Sequence, residues 1–456
     1  MRVLGVQNTV EFAGDVADGG APAAVGGVMK TGSGTLVISG TANSYKGGTR
    51  ISEGVVVVAA NSVLGTGTIT LDGGALKATG DKTFENNLVL TTRGGTLDAG
   101  ADTLTVSGAV DLSGGNPTLT VLGQGTLNGV LSNGSLTKDG TGVLTLGGSN
   151  HSLGGIVVNA GMVTALNENS FGRGPVVVNG GTLFSDINMN MGSLTVSGGT
   201  LMGRGLLTIS GEFKYDGIAP LVMSSRLVQS ATLKVEAGVL KIAQSNNYTG
   251  PTSIASGTVL ISGTSALGLS AVTLGSGAKL APWTGDVILR PENTLSMVGD
   301  AELGAPEGKL TVQGATNLSA GTSTVTLTVS GDVDLQGTVA GTLQKKGAGN
   351  LTLSSSNAGL GNISVSEGTI SAGTAGALGY QAIAIGGSAK VDVSAVNGYV
   401  FAVQTGSGSA SATRTVTVNG ALKGSSIVFD AGVDLKGSGV VNSDVFMRNA
   451  SLSPGN

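Results

Sequence analysis

Lys30-Thr31-Gly32-Ser33-Gly34-Thr35-Leu36 opens a block that continues with Tyr45-Lys46-Gly47-Gly48-Thr49, Ser52-Glu53-Gly54 and Val63-Leu64-Gly65. The block returns three times. A second copy reads Lys138-Asp139-Gly140-Thr141-Gly142-Val143-Leu144, then Leu153-Gly154-Gly155-Ile156, Ala160-Gly161 and Ser170-Phe171-Gly172. A third carries Gly238-Val239-Leu240, Tyr248-Thr249-Gly250-Pro251-Thr252, Ser256-Gly257 and Ala266-Leu267-Gly268. A fourth carries Lys346-Gly347-Ala348-Gly349-Asn350-Leu351, Ser366-Glu367-Gly368 and Ala377-Leu378-Gly379. The first marker step runs from Gly34 to Gly54, Gly142 to Gly161, Gly238 to Gly257 and Gly349 to Gly368. It is the same in the last three copies and a single position longer in the first. The next step, to Gly65, Gly172, Gly268 and Gly379, has one length in all four copies. A constant interval at this length is the signature of a repeat architecture.

An interval of about 20 residues suits one turn of a parallel β-helix, because three strands of about five residues with their corners use that many. Alternation then decides what is buried. Leu36 and Ile38 face one way, and Thr35, Val37 and Ser39 the other. One turn cannot cover its own apolar face, so neighbouring turns must stack on it. Strand-like texture also fills the gaps between blocks, as in Thr103-Leu104-Thr105-Val106-Ser107-Gly108 and Thr324-Val325-Thr326-Leu327-Thr328-Val329. The expected fold is therefore all-β, a right-handed parallel β-helix (β-solenoid) of about 20 rungs. A single continuous solenoid is expected over residues 1–456, with motif blocks near 30–76, 138–183, 234–280 and 345–390.

Composition agrees. The 456 residues include 80 Gly and no Cys, with 11% charged and 3% aromatic residues, so a globular α/β enzyme with roughly a quarter charged residues is disfavoured. Stability has to come from repeated packing, since no disulfide is available. The net charge of −4 and the absence of any basic run beyond Lys345-Lys346 exclude a nucleic-acid grip. No apolar run reaches the roughly eighteen residues of a membrane helix, so no membrane span is expected within the chain. Met1-Arg2-Val3-Leu4-Gly5-Val6 lacks the apolar core of a signal peptide.

The blocks resemble the autotransporter-associated β-strand repeat of bacterial passenger domains. Lys30, Gly32, Gly34, Leu36, Tyr45, Gly48, Thr49, Gly54, Leu64 and Gly65 carry the resemblance. Leu153 replaces the tyrosine in the second copy, and the fourth has no clear equivalent. The C-terminal run Ala450-Ser451-Leu452-Ser453-Pro454-Gly455-Asn456 is similar to the same passengers. The resemblance implies a solenoid exposed on, or released from, a bacterial surface. No barrel strands follow Asn456, so the chain is expected to be a passenger fragment or a surface protein secreted another way.

Catalytic chemistry has few places to sit. The one histidine, His151, falls in the turn before Gly154-Gly155 and reads as a solvated turn residue. Asp332 and Asp334 lie two apart, so one strand face can present both carboxylates, which is the arrangement acid–base work or a cation would need. No basic or aromatic partner accompanies them, and a solvated strand face is the expectation. No catalytic residue, no cofactor-binding residue and no metal ligand is assigned. No cofactor is expected.

The expected function is a surface-exposed or secreted bacterial solenoid, an adhesin stalk or scaffold without catalysis. Expected partners are cell or matrix surfaces, polysaccharide among them. The alternative is a self-assembling extracellular filament or sheath subunit that stacks end to end with its own copies. A polysaccharide-active enzyme ranks last.

Overall fold

The computed structural model describes residues 2–18, 25–61, 63–223, 226–320, 323–402 and 414–454. Gly455 and Asn456 of the C-terminal run lie outside the described residues. Two compact units divide the chain: Met1–Ala219 with Ser224–Val228, and Pro220–Met223 with Gln229–Asn456. Both are wound as a parallel β-solenoid, with about 20 turns in all. Among the described residues every regular element is a strand.

In the first unit the stacking follows the glycine interval. The strand Val143–Leu146 pairs in parallel with Met162–Ala165, and Val143 stands opposite Met162, the same step as Gly142 to Gly161. Thr35–Ile38 pairs with Val55–Val58, and Thr35 stands opposite Val55, the same step as Gly34 to Gly54. Inward positions stack as aliphatic columns. Leu36, Val56, Leu76, Leu97 and Val121 form one such column, register partner on register partner, and all five are fully buried. Each such side chain contributes roughly 1.5–3 kcal/mol over an exposed one. The expected facing of Leu36 and Ile38 inward and Thr35 and Val37 outward is what the strand shows. A small second sheet joins Met189–Met191, Leu206–Ile209 and Arg226–Val228 in parallel.

The second unit repeats the plan. Leu240, Val259, Leu280, Leu303 and Val329 make a fully buried column. One departure is local: Ser319 pairs antiparallel with Thr324. Turns here vary in length. Ala301 pairs with Leu327, and Ile383 with Val416, both longer steps than Val143 to Met162. The inner column keeps its register through these longer turns.

Candidate functional site

Three lysines stand inside aliphatic columns. Lys30 lies between Leu4 and Ile51, Lys138 between Leu119 and Val158, and Lys345 between Leu327 and Val365. All three are fully buried. Their stems pack with the core and their ammonium groups turn into the corner that follows, where backbone carbonyls are left unpaired. Lys30 Nζ donates to the carbonyls of Thr31 (3.0 Å), Gly32 (2.5 Å) and Glu53 (3.1 Å). Lys138 Nζ donates to Gly140 (2.6 Å) and Ala160 (2.9 Å). Lys345 Nζ donates to Lys346 (3.3 Å), Gly347 (2.7 Å) and Glu367 (2.9 Å). Burial lowers all three pKa values, those of Lys138 and Lys345 to about 8. The glutamate before the second marker glycine closes two of these corners. Glu53 accepts from the Gly32 amide (3.1 Å) and Glu367 from the Gly347 amide (2.9 Å).

The sequence pattern had placed the fourth copy's lysine at Lys346. The structure places Lys345 in the corner, in the same position ahead of Gly349 as Lys30 holds ahead of Gly34, and leaves Lys346 exposed. In the third copy the corner is one residue shorter. Val235 pairs with Ile254 there, so an aliphatic side chain takes the lysine's place. Lys234 turns outward to Glu236 (2.6 Å).

A buried asparagine recurs that the sequence reading did not single out. Asn43, Asn150, Asn246 and Asn357 each lie at one constant interval ahead of the closing glycine, Gly65, Gly172, Gly268 or Gly379. Their Nδ2 groups donate to the next turn, to the carbonyls of Val63, Ser170, Ala266 and Ala377 at 2.6–2.8 Å. Oδ1 of Asn43, Asn150 and Asn357 accepts from the preceding turn, from the amides of Val16, Leu131 and Val339. Each of these three side chains therefore ties three successive turns. The constant spacing to the closing glycine was the signal available in the sequence.

The tyrosine of the motif is a third corner device. Tyr45 and Tyr248 are buried, and each hydroxyl lies 2.6 Å from the threonine one corner on, Thr49 or Thr252. Burial raises both phenol pKa values, that of Tyr248 to about 12. Leu153 fills this place in the second copy. Leu360 fills it in the fourth, where its Cβ lies 3.2 Å from the position a side chain at Gly379 would take.

Outward-facing charges pair across neighbouring turns. Asp72 takes Arg50 (2.7 Å) and Arg93 (3.5 Å), Lys77 meets Asp98 (2.9 Å), Lys279 meets Glu302 (2.6 Å) and Lys423 meets Asp392 (3.9 Å), which also pairs along its own strand with Lys390 (2.9 Å). Asp334, one of the two carboxylates the sequence suggested as a pair, belongs to this set. It accepts from Lys309 (2.9 Å), Ser354 (2.6 Å) and Gln336 (3.3 Å). Burial works to raise its pKa, and the Ser354 and Lys309 hydrogen bonds with the Lys309 charge lower it overall. Asp332 is exposed on the same strand. His151 is exposed in its turn, with Nδ1 3.2 Å from Ser149 Oγ. Among the described residues no group of three or more His, Cys, Asp or Glu could hold a metal ion, and no helix is long and apolar enough to cross a membrane.

The corners described above coincide with a known repeat. Residues 29–58, 136–165, 233–261 and 343–372 match the family described as passenger-associated-transport-repeat. The chain carries passenger repeats of the autotransporter kind. Two of the matched repeats lie in each unit. Each begins just ahead of the corner lysine, or of Val235 in the third, and ends on the last residue of the strand that runs on from the second marker glycine. Over 404 residues the chain is 30% identical to the adhesin BmaC autotransporter of Brucella suis biovar 1 (strain 1330), covering 87% of this chain and 11% of that protein. The passenger-repeat chain thus spans about a tenth of the length of that curated relative. No solved structure matches it. The resemblance drawn from Lys30, Gly34, Tyr45, Gly54 and Gly65 is borne out.

Proposed function

We propose that the chain is a non-catalytic section of a bacterial surface adhesin, exposed outside the cell, which presents a broad outward face to host cells or extracellular matrix. The observation that carries this reading is the passenger repeat on a solenoid whose polar groups serve the stack. The buried lysines and asparagines bind corner carbonyls, and many outward carboxylates are paired with lysine or arginine of a neighbouring turn. The likeness to a protein named an adhesin supports the same reading. The test is attachment. Beads coated with the purified chain should bind cultured cells or matrix above uncoated beads, and equal binding by both sets of beads sinks the reading.

A further inference from the structure

Five parallel strands of the second unit, Ser323–Val329, Val339–Lys346, Leu360–Ala372, Ile383–Asp392 and Arg414–Val418, form a ladder with one concave stretch on its outer face. The register aligns Gln344 with Ser364, Ser364 with Ala384, and Ala384 with Thr417. A second outward row runs beside it through Asn362, Ala382 and Thr415. The concavity has a simple cause. Side chains with amides and hydroxyls stand on the flanking strands, while the strand between them offers only the methyl groups of Ala382 and Ala384. The resulting trough encloses about 340 Å³. That lies within the range of small-ligand sites, roughly 300–1,000 Å³.

We propose that this trough binds a neutral oligosaccharide segment of a surface polysaccharide, with a sugar ring seated on Ala382 and Ala384 and its hydroxyls bonded to Gln344, Asn362, Ser364 and Thr417. This inference rests on the adhesive reading and gives it a ligand class. Four features of the lining select the occupant. Among the described residues no charged side chain lines the trough, so a sulfated glycan or a nucleic acid finds no cation there to neutralise it. The strands are interior to the ladder and paired on both sides, so a peptide cannot add as an extra strand. The walls carry donors and acceptors that an acyl chain would leave unpaired. A sugar ring has an apolar C–H face and a polar rim, which match a methyl floor between amide and hydroxyl walls.

The experiment is calorimetric titration of the full chain with β-glucan and mannan hexasaccharides, and with a heparin hexasaccharide for comparison. Binding of a neutral hexasaccharide that is insensitive to salt is expected. Ala384→Trp fills the trough and should weaken it about tenfold or more, a loss of about 1.4 kcal/mol or more. Gln344→Ala with Asn362→Ala removes the amides without adding bulk and should weaken it also, which covers the case that the tryptophan variant misfolds. Thr273→Trp, on an outward face elsewhere in the unit, should bind as the parent does. No neutral hexasaccharide bound, preference for heparin, or equal binding by the trough variants overturns the proposal. The bead assay run on the same proteins separates the two ideas. Attachment without oligosaccharide binding removes the trough alone, and no attachment by the parent chain removes the adhesive reading.

Discussion

The ammonium of Lys138 occupies the space that a side chain at Gly161 would need. A Cβ there would stand 2.5 Å from Lys138 Nζ and 2.5 Å from the Gly140 carbonyl oxygen, at a backbone φ of 67°. Gly54 and Gly368 stand in the same relation to Lys30 and Lys345. The lysine and the glycine are therefore one device. The lysine satisfies the corner carbonyls, and the bare glycine of the next turn lets it do so.

Gly161→Ala should accordingly cost more than the about 1–2 kcal/mol of a left-handed alanine, because the lysine and two backbone carbonyls must also move. Lys138→Met keeps the apolar stem and leaves the Gly140 and Ala160 carbonyls without their donor, an expected cost of about 1–3 kcal/mol. Hydrogen exchange across residues 136–165 is the measurement, since a repeat stack need not unfold in one step. Unchanged protection in both variants would refute the corner device.

Asn357 gives a sharper local test. Its Oδ1 holds the Val339 amide at 2.7 Å and its Nδ2 holds the Ala377 carbonyl at 2.8 Å. Asn357→Leu preserves bulk and strands both groups, at about 1–3 kcal/mol each. The Val339 amide should then exchange faster by one to two orders of magnitude, about 1.4 kcal/mol per factor of ten. Amides in the first unit should not change.

Tyr248→Phe removes one hydroxyl from the contact with Thr252, which keeps Ser270 at 2.8 Å. The expected loss is about 0.5–1.5 kcal/mol, read as a fall in urea midpoint. In the intact chain the phenol titrates near pH 12, above an exposed tyrosine, and ultraviolet titration checks it.

Acid and alkali act through different groups. Asp392 is held at about 2, burial opposing and the Ser394 and Lys390 hydrogen bonds prevailing, and Asp72 and Asp334 are lowered too. Their folded pKa values lie below the unfolded ones, so they add stability above about pH 4 that is lost as pH falls toward 2. Lys138 and Lys345 behave oppositely. Their pKa of about 8 lies below the unfolded value of 10.5, so the unfolded chain binds more protons in between, and stability should rise with pH across that window. Urea midpoints from pH 2 to 10 test both arms. A flat profile at both ends contradicts these assignments.

Much of the stack was legible because one interval carries it. The step from Gly142 to Gly161 is also the step from Val143 to its stacked partner Met162. What lay beyond sequence reading was which polar groups go inside. Lysine is ordinarily a surface residue; the spacing to Gly349 marks Lys345 as the counterpart of Lys30 and Lys138, but that this lysine turns inward follows only from strand parity, once the register is known. Asn357 sits among many asparagines, and its role depends on which carbonyls the corner leaves free. The cluster around Arg414 gave no pattern at all. Its guanidinium is buried 5.1 Å from the Phe401 ring centroid and donates to the Leu378 and Ala402 carbonyls, the first of them far back along the chain. The trough was likewise hidden, because it exists only where two alanines are flanked by longer side chains in register.

Whether this solenoid presents a surface or performs a reaction is best decided on one preparation measured two ways. The immobilised chain is assayed for retention of cells and matrix, and the same chain in solution for release of new reducing ends from a polysaccharide panel. Retention without new reducing ends is the result the account predicts. New reducing ends without retention would contradict it and return the chain to the polysaccharide-active class.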